Sequence, residues 1–214
     1  IGDGGEDGWI SWDDGPDKTD FIPNRKSLFQ VKATKLTPSA CGKEVVGSDG
    51  AVKSRIDEVL KDGGSYIIFT TQGLNGKQKR EREKSIRKAL SDAGAEYEKT
   101  CELWFYDASL ISQWVNQYAS VVVLVRHWIG SPMVQGLKTF DRWKQNESLR
   151  SFEFVEVPSR RDCIEDLKHQ LAHPRKCFRI QGLSGLGKTR TVLQVFEEDE
   201  ALRPLVVYFD ASQP

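Results

Sequence analysis

The pattern Gly-x-x-x-x-Gly-Lys-Ser/Thr is met at every fixed position by Gly182-Leu183-Ser184-Gly185-Leu186-Gly187-Lys188-Thr189. Few short motifs restrict a fold so tightly. Its glycines let successive backbone N–H groups turn inward around phosphate oxygens, where a Cβ would obstruct them. The arrangement also needs a strand running into the loop and a helix leaving it, the helix's positive end aimed at the same anion. Cys177-Phe178-Arg179-Ile180-Gln181 reads as that strand, and Arg190 to about Glu198 as that helix. Lys188 brings positive charge to the β and γ phosphates, and Thr189 offers its hydroxyl to Mg²⁺. Gly182, Ser184, Gly185, Gly187, Lys188, Thr189 and Arg190 are therefore the candidate contacts for ATP and its Mg²⁺.

An apolar strand, Leu205-Val206-Val207-Tyr208-Phe209, ends at Asp210. It has the outline of a Walker B strand, whose acid holds Mg²⁺ through water, but it follows Thr189 very closely. Asp210 is read as structural, and the metal-holding acid is expected beyond Pro214. Nucleotide binding is thus predicted, while hydrolysis is not. With no initiator methionine and an opening already inside a motif, the chain reads as a window on a longer protein, with the nucleotide domain cut short.

Composition narrows the class. Hydrophobic residues make up 38% of the 214 and charged residues 29%, a soluble, globular balance. Net charge is zero, so any nucleic-acid contact must come from a local basic surface. The four cysteines (Cys41, Cys101, Cys163 and Cys177) form no CxxC pair, which argues against a disulfide framework or zinc site and fits a reducing cytoplasm. No apolar run is long enough to cross a bilayer, and no signal peptide opens the chain.

Ahead of the glycine loop, strands and helices alternate. Gly8–Ser11 with Trp12, and Ser27 to Ala33, read as two strands of a hairpin, joined by turn-forming Asp, Gly, Pro and Asn. Val52, Ile56, Val59 and Leu60 mark one helical face; Ile86, Ala89, Leu90 and Ala93 mark another, stopped near Gly94. Ser65 to Thr71 and Glu102 to Tyr106 read as strands, and Leu110, Ile111, Trp114, Val115 and Tyr118 as a further helix. Val121 to Trp128 is apolar and fits strand or helix. The order predicts an α/β fold, a mixed sheet flanked by helices, over residues 1 to about 150. A helix from Ser159, as N-cap, to Leu171, closed by Pro174, then opens the nucleotide domain at 151–214.

A second constellation lies at the start: Gly2-Asp3-Gly4-Gly5-Glu6-Asp7-Gly8, then Phe29-Gln30-Val31-Lys32. Cutting a phosphodiester needs a hard cation to polarise the phosphoryl group and acidify the attacking water. Mg²⁺ takes oxygen ligands, and a nearby lysine can position the water or stabilise developing charge. On a strand, residues i and i+2 share a face, so Gln30 and Lys32 point to one side. Asp3 and Glu6 could supplement the metal site, but read first as solvated turn residues.

These residues resemble the PD-(D/E)xK nuclease superfamily, above all its Mrr-type branch, in which a Gly-Asp-x-Gly-x-Asp-Gly opening precedes a strand ending in Gln-x-Lys. The resemblance implies a restriction-endonuclease-like fold and a Mg²⁺-dependent DNA endonuclease. Asp7 would be the metal-binding acid, Gln30 would stand for the usual second acid as a neutral metal ligand, and Lys32 would be the catalytic lysine. That family also uses a glutamate on a helix ahead of the opening motif, which this window starts too late to include.

A nuclease-like segment directly ahead of a P-loop resembles the antiviral STAND NTPases, also called Avs-type defence proteins. The stretch Asp162 to Arg190 looks like the entry to their nucleotide-binding domain. The resemblance implies a cytoplasmic protein that binds ATP and assembles into a homo-oligomer, commonly a tetramer. A phage protein sensed by a C-terminal region absent here would be the trigger, and double-stranded DNA the substrate. Two other readings stay open: an ATP-dependent restriction or repair nuclease, and a signalling scaffold whose nuclease-like domain is inert.

Weaker signals remain. Lys77, Lys79, Arg80, Arg82, Lys84, Arg87 and Lys88 cluster on one helix, read as a solvated face, with a grip on DNA phosphates as the alternative. Trp104 and Trp114 sit in core-like patterns, and packing is also the reading for Trp9 and Trp12. His127, His169 and His173 show no ligand spacing.

Overall fold

The opening hairpin forms where turn chemistry places it: β1 (Gly8–Ser11) runs antiparallel to β2 (Lys26–Lys32), with Gly8 opposite Phe29 and Ser11 opposite Lys26. The computed structural model describes residues 6–131, 136–146, 154–171, 173 and 177–211. The expectations on Asp3 and Pro174 fall outside them. Contacts divide the chain into two compact units, Ile1–Trp114 and Val115–Pro214.

In the first unit β3 (Ser65–Thr70) and β4 (Glu102–Tyr106) extend the hairpin into a four-stranded sheet of order β1-β2-β3-β4. Both added pairings are parallel, with Gln30 opposite Ile68 and Ile68 opposite Phe105. The sheet is therefore mixed, and helices flank it. Parallel neighbours require crossovers. Two of them supply α1 (Pro38–Val45), α2 (Ser54–Lys61) and α3 (Gly76–Asp92).

Alternation sorts the side chains by face. Leu28, Tyr66, Ile68 and Phe105 join Cys41 and Val45 of α1, Ile56, Val59 and Leu60 of α2, and Ile86 and Leu90 of α3 in one core. Phe29 and Phe69 belong to the other face, where Phe69 stacks on Trp114 of α4 (Ala108–Asn116) and Trp114 lies flat on Phe21, ring centroids 5.3 Å apart. Trp104, expected to pack, is 44% exposed on that face, and Trp9 is 58% exposed beneath the guanidinium of Arg55.

Helix α3 begins with a capping box, Asn75 accepting from the Gln78 N–H while Gln78 returns a bond to the Asn75 backbone. Its basic residues do not act as one face. Arg82 is buried and donates from Nε and Nη2 to the Leu36 carbonyl, at 2.9 and 2.6 Å, and from Nη1 to Gln78. Arg87 engages Glu83 and the Glu98 carbonyl, and Lys79 pairs with Asp107 at 3.4 Å. Lys77, Arg80, Lys84 and Lys88 stay exposed.

Helix α1 is absent from the sequence reading. Gly42 breaks its apolar rhythm, yet allows α1 onto α3: a Cβ there would sit 3.2 Å from the Ser85 carbonyl oxygen. Thr37 caps the helix and Pro38 occupies its first turn.

In the second unit the segment Val121 to Trp128 is helical, within α5 (Ala119–Trp128). β5 (Leu137–Thr139) pairs antiparallel with β6 (Val207–Phe209). Phe140 and Trp143 of α6 (Phe140–Lys144) pack against Leu193 and Tyr208, Trp143 stacking on Tyr208 at 4.7 Å. These contacts set the division at Trp114/Val115, ahead of the boundary near 150 expected from domain size. α7 spans Pro158–Leu171, so Ser159 lies inside its first turn instead of capping it. α8 spans Lys188–Glu197, two residues earlier than read. Leu205 closes a short 3-10 turn, Arg203–Leu205, which shortens the last predicted strand to β6. Residues 177–181 form no strand. They find no ladder partner among the described residues, although Ile180 packs against Ile164, Leu167 and Val195.

No helix among the described residues is long and apolar enough to cross a membrane.

Candidate functional site

Asp7 sits one residue before β1, where the antiparallel ladder ends. Its backbone N–H still bonds the Phe29 carbonyl, at 2.8 Å. The next donor on β2, the Val31 N–H, has no β1 carbonyl to meet and bonds Oδ2 of Asp7 at 2.6 Å. The same oxygen accepts from Nε2 of Gln30 at 2.8 Å. A carboxylate thus finishes the ladder in place of main chain, and its position is fixed by strand register.

Gln30 is 1% exposed in mid-strand. Because an ionised carboxylate only accepts, the amide must present its NH₂ end to Asp7 and turn its oxygen away. That oxygen, Oε1, is buried with no hydrogen-bond partner. A buried acceptor left without a donor costs about 1–3 kcal/mol. A flip of the amide would release that oxygen from its orphaned position and face it toward the Asp7 carboxylate, a pairing suited to a cation.

Lys32, two residues on, lies on the Gln30 side of the sheet and pairs with Glu44 of α1, Nζ to Oε2 at 2.9 Å. Of the three residues singled out in the sequence, Asp7 and Gln30 meet directly, while Lys32 shares the Gln30 face and directs its ammonium to Glu44. Glu44 was missed. The one signal for its helix is Thr37-Pro38, an N-cap followed by proline at the first helical position. Glu6 approaches Arg55 at 3.6 Å and its Oε2 is buried, unlike the solvated turn residue expected.

Among the described residues no group of three or more His, Cys, Asp or Glu converges on one point. With the Gln30 amide flipped so that its oxygen in place of its NH₂ faces Asp7, the two residues would offer one carboxylate and one amide oxygen. This donor set fits Mg²⁺, which keeps several waters and takes its remaining ligands from a substrate phosphate. With a single formal charge, the pair would bind metal weakly on its own.

The glycine loop lies in the second unit. Gly185 and Gly187 adopt φ of +83° and +78°, left-handed values that disfavour side chains, and Gly187 is the N-cap of α8. Lys188 folds back over the loop, Nζ donating to the Gly182 and Leu183 carbonyls at 2.9 and 2.8 Å. The ammonium is thereby held within the loop's curve. Ser184, Gly185 and Thr189 are exposed. Arg190 turns away from this set, bonding Glu197 at 2.7 Å and lying over the Phe154 ring.

The Asp210 backbone follows β6, and Asp210 helps hold the neighbouring Tyr208 phenol above its usual range, after the larger effect of burial.

No protein-family model, curated protein or solved structure matches the chain.

Proposed function

We propose that the chain joins a Mg²⁺-dependent DNA endonuclease unit of restriction-endonuclease-like fold to the start of a P-loop NTPase domain. The observation that carries the first half is the Asp7–Gln30 contact, which sets an amide against a carboxylate fixed by the ladder; the amide oxygen is buried without a donor, and a flip of the amide would turn it toward Asp7 and a shared metal. Asp7 and Gln30 would hold the metal. When bound, Mg²⁺ supplies Lewis acidity toward the phosphoryl group and a more acidic water. Lys32 contributes a positive charge on the same face, suited to the negative charge that builds on phosphate as the bond breaks.

Support for the second half comes from the glycine loop. The left-handed Gly185 and Gly187, the helix start at Lys188 and an ammonium curled over the loop carbonyls form a cradle for a nucleotide's phosphates. An incoming triphosphate would exchange two neutral carbonyl acceptors for anionic oxygens, a stronger class of hydrogen bond. ATP with Mg²⁺ at Thr189 is the proposed ligand.

Together these support an antiphage STAND (Avs-type) protein of the cytoplasm. ATP would assist its assembly into a homo-oligomer once a phage protein is sensed, and the nuclease units would then cut double-stranded DNA. Supercoiled plasmid and Mg²⁺ test the core of this reading. With ATP, and with a fused tetrameric coiled coil standing in for the triggered assembly, the wild-type chain is expected to nick or linearise the plasmid, while Asp7→Ala and Lys32→Ala leave it intact with unchanged circular dichroism. Full cleavage by either variant rejects the site.

A further inference from the structure

A lysine carries its charge at the end of a flexible four-carbon stem, so something across from it must fix the ammonium in place. For Lys32 that partner is Glu44. The pair is 2.9 Å apart, its side chains 23% and 21% exposed, so solvent and salt screen it less than an ion pair on an open surface.

The helix that carries this carboxylate is itself held from several directions. Thr37 caps the start of α1 by accepting from the Ala40 N–H. Gly42 brings the helix close against Ser85 and Ala89 of α3, where a Cβ would sit only 3.2 Å from the Ser85 carbonyl oxygen and its neighbours would have to give way. At the far end the Val45 carbonyl accepts from the Lys53 N–H at 3.0 Å, and Val46 bridges to Val52. The loop from Lys32 to α1 is pinned in its middle, where buried Arg82 donates twice to the Leu36 carbonyl. Strand, loop and helix therefore form a closed circuit, with the Lys32–Glu44 contact completing it.

Metal ligation is the competing role for Glu44. The geometry favours the ammonium, because Oε2 is spent on Lys32 while the carboxylate of Asp7 addresses Gln30.

We propose that Glu44 is a positioning residue for Lys32, holding the ammonium on the Gln30 face of the sheet, beside the strand whose ladder Asp7 completes. The inference rests on the endonuclease reading above. It adds a residue outside the Asp, Gln-x-Lys motif, placed by a helix that the motif does not include.

Steady-state plasmid cleavage over a Mg²⁺ titration tests it, with wild type, Asp7→Ala, Glu44→Gln and Glu44→Asp compared. Glu44→Gln is expected to lower kcat by about 10- to 100-fold, the scale of a misplaced catalytic group. Its KM for DNA and its Mg²⁺ half-saturation should stay at wild-type values. Glu44→Asp, which keeps the charge on a shorter stem, recovers part of the rate. A thermal melt of Glu44→Gln within about 4 °C of wild type separates positioning from folding. Wild-type kcat in Glu44→Gln overturns the inference and leaves the nuclease reading standing. So does a raised Mg²⁺ half-saturation with full kcat at saturation, which would make Glu44 a metal ligand. A wild-type chain that stays inert toward plasmid, Mg²⁺ and ATP even when a fused tetrameric coiled coil replaces the triggered assembly overturns both.

Discussion

Gln30 donates its amide hydrogen to Asp7 at 2.8 Å and thereby leaves its own oxygen buried with no donor to meet it. A neutral amide stands where a second acid would give the site more charge, so metal affinity and resting stability pull against each other there. Gln30→Glu should tighten Mn²⁺ binding, followed by calorimetry, by about tenfold, since ligand charge sets affinity in oxygen sites. Without metal the same variant loses the donor to Asp7 and sets two carboxylates side by side. Its unfolding free energy should fall by about 1–3 kcal/mol in urea melts. Equal Mn²⁺ affinity in both proteins would argue that Gln30 faces no cation.

Arg82 gives a prediction about stability alone. Its guanidinium is buried and saturates the Leu36 carbonyl, so Arg82→Ala would strand that acceptor in the core. A loss of about 2–3 kcal/mol is expected. Lys84→Ala, on the exposed side of the same helix, should change stability by less than about 0.5 kcal/mol. Paired denaturant melts check both.

Asp107 couples the first unit to pH. Burial alone would raise its pKa, but hydrogen bonds from the Leu74 and Leu110 N–H groups and the charge of Lys79 outweigh burial and hold it below the usual carboxylate value. A group depressed in the folded state stabilises above its unfolded pKa, about 3.9, and the gain is lost as pH falls through the lower, folded value. Asp107→Asn should therefore cost about 1–2 kcal/mol at neutral pH and progressively less below about pH 4, because a protonated Asp107 resembles the amide. Urea midpoints of both proteins across that range decide it. A constant difference would show that charge plays no part.

Lys188 makes its two bonds to carbonyls on an exposed loop. Lys188→Ala should leave thermal stability within about 1 kcal/mol of wild type. It should also weaken binding of a fluorescent ATP analogue by more than tenfold, since charge-assisted bonds to phosphate are lost. Undiminished nucleotide affinity would contradict the proposed cradle.

Much of this architecture was legible because local chemistry and tertiary packing agree. Ile56, Val59 and Leu60 announce α2, Ile86, Ala89 and Leu90 announce α3, and the apolar runs Ser65–Thr70 and Glu102–Tyr106 announce β3 and β4. Where packing decides, the reading failed. α1 hides because Gly42 serves an interhelical contact that no periodicity reveals, and with α1 went Glu44. Arg82 looked solvated because nothing near it in sequence shows that Leu36, 46 residues away, would present its carbonyl. Residues 177–181 have strand composition but no neighbour among the described residues, and a ladder needs two.

The ladder between Leu137–Thr139 and Val207–Phe209 bears on how modular this protein is. A chimaera spliced at residue 150 would leave Val207–Phe209 as a raw edge and rob Tyr208 of the indole it lies against. Spliced just past α4, after Asn116 and next to the division at Trp114/Val115, the same exchange carries both strands together. Swapping the front unit for another cargo should therefore succeed at the earlier seam and aggregate at the later one.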